Sequence, residues 1–141
     1  MDENVKETIR NAMEHFLDSI EPFTVSGFNP FQRKQIHRHF ERTAECKVRA
    51  FRDGRGEVVL NIVPVGKLQR MAETLVQEVL MSGETRSLPA MDSFERFIVH
   101  EYLKTRGGVR SESHGEGAER HVDIVPVFGR VPKKARRRLT R

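Results

Sequence analysis

Apolar residues recur at three- and four-residue intervals through Val5, Ile9, Ala12, Met13, Phe16, Leu17 and Ile20. That is the period of a helix with one buried side, and it predicts a helix over residues 3–18. Glu21-Pro22 closes it, because the residue before a proline avoids the helical region. Residues 23–26 read as a short extended piece with β-branched Thr24 and Val25. Asn29 then offers an N-cap with Pro30 at the first helical position, where a missing N–H is harmless. The helix that follows runs to about Arg42, with Phe31, Ile36 and Phe40 as its expected buried side. Residues 46–51 and 57–63 read as strands joined by the turn Asp53-Gly54-Arg55-Gly56, and Pro64 ends the second.

The same order then restarts. Leu68, Met71, Ala72, Leu75, Val76, Val79 and Leu80 give a helix over residues 65–81, with Gly83 just past its end. Residues 85–88 form the short extended piece. Asp92 and Glu95 stand in capping-box spacing before a helix whose core side is Phe94, Ile98, Val99, Tyr102 and Leu103. Gly107-Gly108 stops it, and strands over residues 109–113 and 120–125 flank a turn at His114 to Ala118. A shift of 63 positions carries Met13 to Val76, Leu17 to Leu80, Arg33 to Arg96 and His37 to His100. A shift of 62 carries Leu60-Asn61-Ile62-Val63-Pro64 onto Val122-Asp123-Ile124-Val125-Pro126, so one residue is lost in the hairpin. The expectation is an α+β fold of two tandem α-β-α-β-β units. Each unit holds a three-stranded sheet with two helices on one face, and the two pack together because a unit of this size is marginal alone. The predicted boundaries are 1–64, 65–128 and a flexible basic tail over 129–141.

The tail changes the meaning of the net charge of +5. Seven basic residues lie between Arg130 and Arg141 with no acid among them, so the remainder of the chain has a small net negative charge. Residues 33–55 nevertheless hold eight basic residues against three acidic ones, whereas residues 96–118 hold four against three. The lone Cys46 excludes an internal disulfide and a multi-cysteine zinc site. No apolar run reaches the ~20 residues needed to cross a bilayer, and the start MDENVKETIR does not read as a signal peptide. A cytoplasmic location is the expectation.

The residues from Met91 to Pro126 resemble the R-3-H domain, which takes its name from an Arg-x-x-x-His motif. The likeness rests on the lead-in Leu88-Pro89-Ala90-Met91, the helix from Ser93 to His100 and the hairpin Ser111-Glu112-Ser113-His114-Gly115-Glu116-Gly117. Arg120, Val122 and Ile124 follow at the expected spacing. The form it resembles most is that of bacterial Jag-type RNA-binding proteins, and the first unit looks like a divergent copy. Those proteins also carry a KH domain, but no helix-flanked Gly-x-x-Gly loop is present here. The resemblance implies binding of single-stranded nucleic acid, RNA more than DNA, by a surface that includes Arg96 and His100.

The residue chemistry agrees. Arg96 and His100 stand one turn apart on a helix, so a guanidinium fork and an imidazole can meet one phosphate. Lys104 continues that face, with Arg110 and Arg120 on the strands. In the first unit Arg33, His37, Lys34, Arg38, Arg49 and Arg52 are the corresponding candidates. Lys133, Lys134, Arg136, Arg137 and Arg138 add the tail. Phe51 reads as a core residue before it reads as a base-stacking ring. The plainer reading of the motif is a structural pair, with His100 on a backbone group and Arg96 on Glu95 or Glu101. No HExxH motif or Cys/His spacing points to an enzyme, a metal or another cofactor, and His37 and His39 fall on different helix faces. The expected partners are single-stranded RNA or DNA, with a ribosome or other RNA–protein complex behind them and no membrane. The alternative is a protein-interaction scaffold whose basic tail docks on an acidic partner or ribosome.

Overall fold

The computed structural model describes residues 2–127. The predicted tail, with Lys133, Lys134, Arg136, Arg137 and Arg138, lies outside the described residues. Helix α1 (Glu3–Asp18) leads to β1 (Phe23–Val25), α2 (Pro30–Glu41), β2 (Lys47–Arg52) and β3 (Val58–Val63). Then come α3 (Val65–Ser82), β4 (Arg86–Ser87), α4 (Ser93–Leu103), β5 (Val109–His114) and β6 (His121–Pro126). The two three-stranded antiparallel sheets have the orders β1-β3-β2 and β4-β6-β5. The α+β architecture expected from the sequence is therefore present, and the strand order repeats. The chain divides into two compact units between Met71 and Ala72, within α3. No helix of the described residues is long and apolar enough to cross a membrane.

The first unit closes around Val5, Ile9 and Ala12 of α1, Ile36 and Phe40 of α2, and Val25, Val48, Leu60 and Ile62 of its sheet. Phe16, Phe23, Phe28 and Cys46 pack against this cluster. Lys67 Nζ reaches the carbonyls of Phe16 at 2.5 Å and Ser19 at 3.3 Å, a cation placed on the unsatisfied carbonyls at the end of α1. Four residues expected on the buried sides of this unit are corrected: Met13 and Leu17 of α1 are exposed, and so are Phe31 and Phe51. Phe31 is 70% exposed and Phe51 is 47% exposed. Phe31 precedes Ile36 by five residues, which is roughly 140° around a helix, so both cannot face one core. Phe51 shares its face of β2 with Lys47 and Arg49, by strand alternation.

In the second unit Val76 and Val79 of α3, Ile98, Val99 and Leu103 of α4, and Val122 and Ile124 of β6 are buried. Both middle helices begin with a capping box. Asn29 Oδ1 accepts from Gln32 N at 2.8 Å and Gln32 Oε1 accepts from Asn29 N at 2.9 Å. Asp92 and Glu95 do the same at 2.9 and 3.0 Å, and Glu95 is buried. Replacing Asp92 by Ala orphans the Glu95 amide at the start of α4. The variant should lose about 1 kcal/mol of stability, read as a lowered urea midpoint with unchanged slope.

Candidate nucleic-acid interface

The capping box fixes where α4 starts, and so which way its side chains point. From that start Arg96 reaches back along the helix, and its Nη1 donates to the Met91 carbonyl at 2.6 Å. The plainer sequence reading, a bond to Glu95 or Glu101, is not what this distance describes. One arm of the fork is anchored, and a guanidinium with five N–H groups keeps donors for something else. His100, a turn later, faces β5. Its Nδ1 lies 2.6 Å from Ser111 Oγ and its Nε2 lies 2.7 Å from Ser113 Oγ. The two serines are two residues apart on a strand, so they project from one face, the side of the sheet that also carries the buried Val122 and Ile124.

Arg120 comes to the same place by way of the hairpin. Its Nη1 donates to the Gly115 carbonyl at 2.8 Å. Gly115 has φ of +92°, and a Cβ there would lie 2.9 Å from the Glu119 carbonyl oxygen. The Gly115 turn is therefore a requirement of the backbone, and it supplies the acceptor that holds Arg120. Arg96, His100, Lys104 and Arg120 together with Ser93, Phe97, Glu101, Ser111 and Ser113 line a cleft of about 560 Å³. Lys104 is paired with Glu101 at 2.8 Å. Phe97 is 56% exposed, and its ring is stacked on Phe94 with centroids 6.4 Å apart. Arg110 lies outside this cleft. It pairs with Glu112 at 2.9 Å and lines a smaller recess with Lys104 and Ser111.

Burial, then the charges of Arg96, Lys104 and Arg120, hold the His100 imidazole below its ordinary value of 6.5. At neutral pH the ring therefore carries one N–H. One serine hydroxyl accepts from it and the other donates to it. The first keeps its own proton to offer into the cleft, and the second offers lone pairs. The floor of the cleft thus presents one donor and one acceptor between three cationic groups.

The first unit keeps the scaffold without this site. Arg33 Nη1 donates to the Phe28 carbonyl at 2.7 Å, the counterpart of the Arg96 bond. His37 has no serine pair. The strand positions matching Ser111 and Ser113 are Val48 and Ala50, which pair Ile62 and Leu60 as the serines pair Ile124 and Val122. His37 Nε2 instead lies 3.4 Å from Glu41, which stands where the second unit has Lys104. Lys34 and Arg38 project from another face of α2, Arg49 lies on β2, and Arg52 Nη1 donates to the Gly56 carbonyl at 2.7 Å. Sequence reasoning missed Ser111, Ser113 and Phe97 as site residues. Strand alternation was the available signal for the serines, and adjacency to Arg96 was the signal for the ring.

The cleft places basic side chains beside an exposed aromatic ring, a surface chemically suited to a phosphate backbone and an unstacked base. Residues 66–126, which span most of the described second unit and the start of α3, match the family model of the R-3-H domain. The match covers less than half of the chain and does not extend into β1, α2, β2 or β3. No curated protein matches the chain. Among the described residues no group of three or more His, Cys, Asp or Glu side chains could hold a metal ion.

The depressed His100 value has a sign that can be tested. The unfolded chain binds a proton at this residue more readily than the folded one. The stability contributed by neutral His100 is therefore fully present above pH 6.5 and is lost as pH falls through the lower folded value. An NMR titration of the imidazole resonances should place His100 below 6.5. Replacing Arg96 by Ala removes one repelling charge and should move that midpoint upward.

Proposed function

We propose that the second unit binds single-stranded nucleic acid, RNA in preference to DNA, in the cleft formed by Arg96, His100, Lys104 and Arg120. The observation that carries this reading is the convergence on one cleft of anchored guanidinium groups and a hydroxyl pair set by a neutral imidazole. Arg96 and Arg120 each fix one donor on a backbone carbonyl, which holds their remaining donors toward a phosphate at little entropic cost. The exposed ring of Phe97 offers a face on which an unstacked base can lie. A duplex keeps its bases stacked and leaves that ring uncovered. A ribose 2′-hydroxyl both donates and accepts, as the Ser111/Ser113 floor does, and this supports RNA. Binding without catalysis is part of the reading. So is action on transcripts or ribosomes in a bacterial cytoplasm, in the manner suggested by the likeness to Jag-type proteins.

Arg96→Ala in the full chain should weaken binding of a fluorescent single-stranded RNA by about 10- to 100-fold, the range for a hydrogen bond to a charged group. Phe97→Leu should weaken the single strand while leaving the small affinity for a duplex unchanged. Phe97→Trp places a lone indole in a chain that has no Trp, and its emission should be quenched as a base stacks. Single-strand affinity unaltered by both Arg96→Ala and Phe97→Leu would remove the cleft as the binding site.

A further inference from the structure

Helix α2 of the first unit carries a cationic surface on a face that the Arg-x-x-x-His spacing does not use. Lys34, Arg38 and Arg42 follow each other at four-residue intervals, so they form one stripe along the helix, with Phe31 at its head. Arg38 is five residues beyond Arg33, roughly 140° around the helix, so the stripe is turned away from the Arg33 and His37 side. The three cations have no ion pair among the described residues. The only acid of α2, Glu41, is already engaged by His37 and by the backbone N–H of Val48 at 3.1 Å.

A helix dipole explains part of this arrangement. Arg38 lies in the last turn and Arg42 at the C-cap, where positive charge is favourable. It does not explain Lys34, which sits in the second turn. Nor does it explain why like charges repeat at the spacing where they repel and destabilise a helix. The stripe also borders a built recess. Gln35, Arg38, His39 and Arg42 line a cavity of about 280 Å³. Gln35 Oε1 is itself buried without a hydrogen-bond partner among the described residues. The recess thus holds two guanidiniums without an ion pair and an imidazole, while the Gln35 oxygen is an acceptor that only a hydrogen-bond donor could satisfy.

We infer that this face of α2 is a second, separate binding site for phosphate groups, taking the backbone of a nucleic-acid strand along Arg38 and Arg42 with Lys34 extending the track. The site reads charge and spacing, not bases. Its phosphate chemistry stands on the first unit alone. The choice of nucleic acid as the source of the phosphates rests on the reading of the second unit.

The test uses the full chain, the triple change Lys34→Gln, Arg38→Gln and Arg42→Gln, the single change Arg96→Ala, and all four together. Each protein is titrated with a labelled 30-nucleotide single-stranded RNA across a range of KCl concentrations. Amide resonances of residues 34–42 are followed on addition of inorganic phosphate and of the same RNA. Removing three phosphate contacts should flatten the plot of log affinity against log salt by about 2. The resonances should shift with both ligands in the wild type and with neither in the triple variant. The triple variant gives up favourable charge at the end of α2 and gains relief from repulsion along it, so its melting temperature should stay within a few degrees of the wild type. Unchanged slope and affinity in the triple variant overturn the site. So does a lost slope without local resonance shifts in the wild type. Shifts with phosphate but none with RNA overturn the strand and leave a free phosphate ligand. If Arg96→Ala binds as the wild type does while the triple variant loses its slope, the second-unit reading fails and the α2 site stands.

Discussion

The second unit is organised by one contact, the imidazole of His100 held between the hydroxyls of Ser111 and Ser113. It ties the exposed edge of α4 to β5 at the floor of the cleft. The bond also explains the electrostatics of the site. A half-buried imidazole surrounded by Arg96, Lys104 and Arg120 is disfavoured as a cation, and its hydroxyl partners satisfy the neutral form without needing a charge. The cleft can then hold three cations around a neutral floor, where a protonated histidine would add a fourth charge to the repulsion.

The first unit shows how few residues separate scaffold from site. Strand order, capping box and the arginine bond to a carbonyl five residues back are all present in both units. Val48 and Ala50 in place of two serines remove the imidazole's partners. Glu41 in place of Lys104 reverses a charge and takes His37 for itself. The core is indifferent to these changes, because Val48 packs with Ile62 and Leu60 as well as any apolar strand residue does. The same strand order thus tolerates different residues at these positions, and a shared architecture does not by itself carry the cleft of the second unit.

Much of the fold was legible because its signals are local. The 3.6-residue period, the capping boxes and the Asp-Gly turn are each decided by neighbouring residues. Side-chain exposure was less so. Phe31 was counted with Ile36 and Phe40 by its chemistry, although its angle around α2 sets it apart. Met13 and Leu17 belong to the apolar pattern of α1 yet are 54% and 82% exposed, since they flank the stripe centred on Val5, Ile9 and Ala12. The site was legible in its charges and not in its hydroxyls. Arg96 and His100 follow from helix spacing alone. Ser111 and Ser113 acquire their role only from the register that sets β5 beside β6 and from the face that β5 turns to α4. That information is held by residues far apart in sequence.

Charge makes the same distinction between local and spatial information. Counted along the chain, residues 33–55 are simply more basic than residues 96–118. In space, the described residues of the second unit pair most of their cations with carboxylates: Arg86 with Glu78 and Glu84, Arg106 with Glu73, Lys104 with Glu101, and Arg110 with Glu112. Arg96 and Arg120 are the exceptions, and each is steered by a carbonyl instead of an acid. A carbonyl orients a guanidinium without neutralising it, so the full positive charge remains available to a ligand. Pairing therefore separates the cations that hold the fold together from those that face outward with their charge intact. By that criterion the cationic centre of the second unit is two arginines, not its whole complement of basic residues.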